Sequence, residues 1–365
     1  MSNKFLAQMQ PWFGQGERDA LNEYMSGDVF LTEFKKTWEF EKALAGFTKA
    51  RRCIAVNNGT VSLSVAALAL GICPSDEVIV PNYTMIASAN AFRMLGCEIR
   101  FCDVEKESLC IDINNLKKII SSKTKAVVLV SANGRFPSYP FEELKALCDK
   151  YGVYIIEDAA QSLGSFYEDG THIGLKGDIG SLSFSPPKII STGQGGALIT
   201  NDEILGAKVA KLKDFGRTSG GNDIHDVIGF NFKFTDLQAV IGLCQLEKLN
   251  WRLDRKKEIY SQYNNFLPSY PGLELIKNQT QFTAPWFFEI IAPKRSGLKK
   301  FLFESGIGTR EMYPPINAQK AFNSPGRFPN SEFIGNNGLW LPSQSQLSNA
   351  EIEFVCHKIK EFYTQ

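Results

Sequence analysis

The sequence has 365 residues, 44% apolar and 22% charged, ordinary values for a globular chain that buries a sizeable core; at about 150 residues per domain the length predicts about two domains. Lys and Arg number 40 against 39 Asp and Glu, a net charge of +1. That balance excludes a nucleic-acid binder with a strong basic footprint and a polybasic membrane-surface protein, and the many aromatics exclude a disordered chain.

No run of about 18 apolar residues predicts a transmembrane helix. Residues 1–14 lack the basic segment and apolar run of a secretory signal. The 8 cysteines are scattered and form no Cys-x-x-Cys pair, so reduced thiols in a cytoplasmic protein are expected. The 3 histidines, 172, 225 and 357, lie far apart, and no metal site is expected. His225 falls in a polar stretch just before Ile228-Gly229-Phe230-Asn231 and is a candidate for the mouth of a site.

From residue 53 to 200 short β-rich runs alternate with helical patterns. Strands are predicted at 53–56, 77–80, 98–102, 126–130 and 153–156, and helices at 61–70, 87–95 and 141–150. Ala126 to Val130 is continuously apolar, as in a strand buried on both faces. This alternation implies βαβ units around a mostly parallel sheet. A strong amphipathic pattern begins at Thr235 and continues toward Lys256 as one long helix. Beyond about 270 there is a strand-like run (286–292), a helix (297–305) and a closing helix (349–363).

Ligands of parallel sheets sit outside the carboxyl ends of strands, so the residues after each strand are the candidates. Asn57-Asn58-Gly59-Thr60 lies between a strand and a helix. It offers backbone N–H groups and a hydroxyl to a phosphate, or it is an ordinary start with Thr60 capping the helix. Glu157-Asp158-Ala159-Ala160-Gln161 places two carboxylates after a buried strand, which is costly unless they are paired. One of them could face a protonated pyridine nitrogen. Lys188 follows Ser185-Pro186-Pro187 in apolar surroundings. Desolvation would lower its pKa and make it a nucleophile able to form a Schiff base. Ser183 is placed to reach a phosphate. Thr192-Gly193-Gln194-Gly195-Gly196 allows close backbone approach. Neither dinucleotide nor P-loop glycine patterns occur. Together the four segments meet the needs of pyridoxal phosphate.

Six stretches, 57–68, 76–91, 155–165, 183–200, 228–249 and 338–343, carry a resemblance over nearly the whole chain. The sequence resembles the DegT/StrS-type nucleotide-sugar aminotransferases, pyridoxal-phosphate enzymes. The resemblance implies an α/β fold, the fold type I of pyridoxal-phosphate-dependent transferases. A large domain (1–250, with an N-terminal helical arm) would carry a mostly parallel seven-stranded sheet. A smaller α+β domain (251–365) would follow. It implies Lys188 as the Schiff-base lysine, Asp158 at the pyridine nitrogen and Gln161 beside the phenolic oxygen. Gly59, Thr60 and Ser183 would hold the phosphate. Asn231 would be lent to the phosphate of a neighbouring subunit, hence a homodimer with shared sites. Arg310 would lie near the substrate.

The resemblance also implies amination of a keto group on a nucleotide-linked sugar, with glutamate as donor. A dehydratase branch carries His in place of Lys188, so the lysine argues for amination. Two positions depart from the pattern. Met85 stands where relatives stack an aromatic residue on the cofactor, a place Tyr83 could fill instead. Ser131-Ala132-Asn133-Gly134-Arg135 stands where relatives read His-Leu-Tyr-Gly-Gln. That is either drift around one substrate or a changed acceptor, a small phosphorylated ketone or keto-cyclitol whose charge Arg135 would meet. A pyridoxal-phosphate-binding regulator without turnover is the reading of a different class.

Overall fold

The computed structural model describes residues 5–27, 29–219, 222–267 and 269–365. Seven strands form the first sheet: β1 (Arg52–Val56), β2 (Glu77–Pro81), β3 (Glu98–Cys102), β4 (Thr124–Val130), β5 (Tyr154–Asp158), β6 (Ile179–Ser183) and β7 (Gly196–Thr200). Their order is β1-β7-β6-β5-β4-β2-β3. Every neighbouring pair is parallel except the two made by β7. The carboxyl ends of six strands and the start of β7 therefore share one edge.

Helices cover both faces. In chain order they are α1 (Gln15–Met25), α2 (Lys35–Thr48), α3 (Gly59–Ala69), α4 (Ala87–Arg93), α5 (Ile113–Ile119), α6 (Phe141–Tyr151) and α7 (Glu203–Lys213), followed by α8 (Asp236–Glu247). The two-residue period of the strands sorts their apolar side chains. Ala55, Val127, Leu129, Ile155 and Leu182 pack with Phe40, Leu44, Leu144 and Ala239 on one face. Val56, Val128, Ile156, Ile179 and Leu198 pack with Leu63, Phe92 and Val209 on the other. This is the α/β architecture expected from the alternation.

The same period separates the two adjacent acids of β5. Glu157 points to the first face and is fully buried. It accepts hydrogen bonds from the Tyr167 hydroxyl (2.6 Å) and from the amides of Gly174 (2.9 Å), Lys176 (2.7 Å) and Gly177 (2.6 Å). It holds a loop in place. Asp158 points to the second face, toward α4.

The chain continues through α9 (Leu249–Phe266), β8 (Glu274–Leu275), β9 (Phe288–Ile291), α10 (Arg295–Glu304), β10 (Arg310–Glu311), α11 (Pro329–Asn337), β11 (Gly338–Leu341) and α12 (Asn349–Thr364). The predicted long helix is two, α8 and α9, broken at Lys248. The Lys248 amide bonds the carbonyl of Gln245 in a tightened last turn, and its ammonium pairs with Glu17 of α1 at 2.6 Å. The four short strands form an antiparallel sheet, β10-β11-β9-β8. Tyr263, Phe288, Leu302, Leu341 and Val355 form its core. Leu6 belongs to that core as well and bridges Ile307, so the N-terminal segment packs with the second sheet.

Replacing Glu157 with Ala leaves three amides and a buried hydroxyl without their acceptor. Each such loss costs about 1–3 kcal/mol, so a total above about 3 kcal/mol is expected in urea unfolding at unchanged slope. Glu157→Gln, which keeps a carbonyl acceptor, should lose less.

Candidate active site

The carboxyl edge of the first sheet carries a corner built by β1, β6 and β7. Asn58 caps α3, its side chain accepting from the Val61 amide at 2.9 Å. The cap is therefore Asn58 rather than Thr60, and Gly59 and Thr60 stand in the first turn. Amides of a first turn have no partner within their helix and favour an anion. A Cβ on Gly59 would lie 2.8 Å from the Ser183 Cβ, and one on Gly196 would lie 2.6 Å from the Asn58 carbonyl carbon. Only glycines let α3, β6 and β7 meet this closely. The Ser183 hydroxyl lies at the same corner, 3.4 Å from the Ser185 hydroxyl and the Ser185 amide.

On the next strand, Asp158 ends β5 and is buried. One carboxylate oxygen accepts from the Ser88 hydroxyl at 2.6 Å, and Ser88 in turn lies 2.9 Å from the Thr84 hydroxyl. The other accepts from the Ala160 amide at 3.2 Å. Burial pushes the Asp158 pKa up, while Ser88, the Ala160 amide and the positive charge of Lys188 pull it down.

Lys188 follows β6. Part of its side chain is exposed, but its amine is enclosed by protein. Loss of water lowers its pKa to about 8. Asp158 opposes that shift, and Arg310 adds to it. The amine lies 4.1 Å from the centroid of the Trp286 ring. Lys188, Asp158 and Arg310, distant in sequence, thus act on one another through space. The arrangement can hold a proton on a nitrogen that faces Asp158, present a readily deprotonated amine and receive a phosphate at the α3 corner.

Gln161 is half-buried, its side-chain oxygen accepting from the Asn133 amide at 2.7 Å. Arg310 is exposed on β10, its guanidinium 5.4 Å from the Trp340 ring and 5.9 Å from Tyr313. Asn231 is exposed and bridges Asp214, in a segment whose Phe232 carbonyl accepts from the Asn57 amide at 3.1 Å. His225 is exposed, with Nδ1 2.9 Å from the Phe215 carbonyl. His172, also in a polar stretch of sequence, is buried between Phe47 and Phe166, and burial lowers its pKa to about 4. Met85 is exposed before α4, its sulfur 3.0 Å from the Ala87 amide. Tyr83 is buried in a cluster with Trp286, Phe287, Met312 and Trp340 that joins the two sheets. It sits in a packed wall.

Arg135 packs against the second sheet. It is buried, 2.6 Å from Glu289 of β9, and it donates to the carbonyls of Lys277 (2.8 Å) and Ile276 (3.1 Å). Its charge is neutralised within the protein by Glu289. Asn133 is a clip of the same kind. It has a left-handed φ of 54°, and its side chain pairs with the Phe287 amide at 2.6 Å and carbonyl at 2.7 Å. Ser131 is buried with no partner for its hydroxyl among the described residues.

The site residues not foreseen from sequence are Ser88, Trp286 and Tyr313. Ser88 could have been found, one helical turn after Thr84 in the stretch following β2. Trp286 opens the aromatic run Trp286-Phe287-Phe288, which reads as ordinary core. Among the described residues, no group of three or more His, Cys, Asp or Glu side chains could hold a metal.

Arg135→Ala would leave Glu289 buried and unpaired, a loss of about 3–5 kcal/mol. Arg135→Met combined with Glu289→Gln, which still accepts from the Trp340 indole N–H, should recover most of it in the same denaturation measurement.

Residues 13–360 match the model of the DegT/DnrJ/EryC1/StrS aminotransferase family. The chain is 32% identical over 362 residues to GDP-perosamine synthase of Vibrio cholerae, covering 97% of this chain and 98% of that one. It is 30% identical to the UDP-2-acetamido-2-deoxy-3-oxo-D-glucuronate aminotransferase of Pseudomonas aeruginosa, covering 87% and 88%. A solved DegT/DnrJ/EryC1/StrS aminotransferase from Brucella abortus superposes with a TM-score of 0.89 at 28% identity, over 96% of each chain. With the match running over nearly its whole length, this chain belongs to the DegT/DnrJ/EryC1/StrS aminotransferase family and is an aminotransferase.

Proposed function

We propose that this aminotransferase works with pyridoxal phosphate and aminates the keto group of a nucleotide-linked 4-keto-6-deoxy sugar, with glutamate as amino donor. The observation that carries the proposal is the enclosed Lys188 amine within the field of the buried Asp158, beside the α3 corner. These residues fit the cofactor. A glycine that a Cβ would push into Ser183 suits a phosphate brought against backbone. A buried carboxylate held by Ser88 and the Ala160 amide suits a cationic ring nitrogen.

When bound, pyridoxal phosphate supplies an electron-withdrawing ring that stabilises negative charge on the carbon losing a proton. The chain does the rest. Gly59, Thr60 and Ser183 would hold the phosphate. Asp158, its own charge kept by Ser88, would hold a proton on the ring nitrogen. Lys188 would hold the cofactor through its amine, and its Nζ could move a proton as base and then acid. Gln161, fixed by the Asn133 amide, would serve the ring oxygen. Asn231 serves the phosphate of a second copy in a homodimer, consistent with its exposure. Eight free cysteines fit the reducing cytoplasm.

The sugar acceptor is supported by 32% identity to a GDP-perosamine synthase. Arg135, the residue that would favour a phosphorylated ketone, is engaged by Glu289.

The test is direct. The apoprotein should take up pyridoxal phosphate, develop a visible absorbance band and be fixed at Lys188 by borohydride, as read by mass spectrometry. A base with a pKa near 8 is mostly charged below that pH. Uptake should therefore quicken about tenfold per unit up to pH 8 and level off above it. Glutamate should bleach the band. Asp158→Asn should slow that bleaching by about 100-fold or more. Regeneration of the band by 4-keto-6-deoxy nucleotide sugars, and not by small keto-phosphates, would establish the acceptor. A colourless protein would end the proposal.

A further inference from the structure

We propose that Trp286 is a positioning residue for Lys188: its indole face is the surface on which the free amine rests, and it favours the amine's charged form. The inference rests on the reading of Lys188 as the reactive amine. Trp286 is buried at the entrance to β9, with the Lys188 amine 4.1 Å from its ring centroid. Its indole N–H donates to the carbonyl of Pro187 at 2.6 Å, the residue just before the lysine. Ring and amine are therefore fixed in one frame.

That frame is restrained from every side. The Trp286 carbonyl accepts from the buried Lys256 ammonium at 2.8 Å. Phe287 stacks on the indole at 3.8 Å, and the Asn133 side chain clips the Phe287 amide and carbonyl. Trp340 closes the edge at 5.9 Å.

The charges around the amine give the ring its task. Asp158 attracts the ammonium and Arg310 repels it. Arg252 and Lys256 line the same small cavity as Lys188. An indole face close to an amine is electron-rich and favours the ammonium. It offsets part of the desolvation and holds Nζ in one place until the cofactor arrives.

The experiment titrates Lys188 directly in the apoprotein. Lysine labelled with 13C at Cε is incorporated, and the Lys188 resonance is identified by its loss in Lys188→Ala. Trp286→Leu should lower the Lys188 midpoint by about 0.5–1 unit and broaden the resonance as the amine loses its fixed place. Trp286→Phe, which keeps a ring but not the bond to Pro187, should give roughly half that shift. A midpoint unchanged or raised in Trp286→Leu overturns the proposal. If that variant does not fold, an unshifted midpoint in Trp286→Phe overturns it. A wild-type apoprotein whose lysine titrates normally but takes up no pyridoxal phosphate would count against the proposed function instead, and not against the contact.

Discussion

The site depends on a carboxylate and an amine kept out of water within each other's field. Burial alone would raise the acid and lower the base until both were neutral. Asp158 is held against that tendency by the Ser88 hydroxyl, the Ala160 amide and Lys188. Lys188 is restored in part by Asp158, though Arg310 works the other way. The outcome is a lysine poised near neutrality, which neither a solvated nor an isolated buried amine would be. The rest of the first sheet serves to bring these groups to one edge.

That edge follows from strand direction. Six strands finish on the same side, and β7 starts there. The corner formed by β1, β6 and β7 closes on glycines, because a Cβ at Gly59 or Gly196 would strike its neighbour. Parity along β5 then assigns the two acids different work. Glu157 turns to the side of α2 and α6 and is saturated by four donors, so it holds a loop. Asp158 turns to the side of α4 and is held by the Ser88 hydroxyl and the Ala160 amide.

The junction between the sheets completes the site and also limits it. Asn133, Arg135 and Lys256 all donate their polar groups across this junction, to Phe287, Glu289 and Trp286. Asn133 and Arg135 thus act as clamps between the two sheets. The charge that stays outward near the amine is Arg310, lying over Tyr313 and Trp340.

Much of this was legible in the residues. Short apolar runs and intervening helical patterns marked the five strands expected between 53 and 156 and the α/β class, because a strand buried on both faces has few other compositions. The glycines, Asp158 and Lys188 were legible because each follows a strand whose end must face the ligand edge. The break at Lys248 was not, since the helical pattern runs through it and only the backbone shows the tightened turn. Nor was the fate of Arg135: a guanidinium reads the same in sequence whether it meets a phosphate or a buried Glu289. Local pattern determined which elements form and which side chains reach the edge. Only packing decided which of those charges stay free, because neutralisation and desolvation depend on partners brought near by the fold and not by the chain.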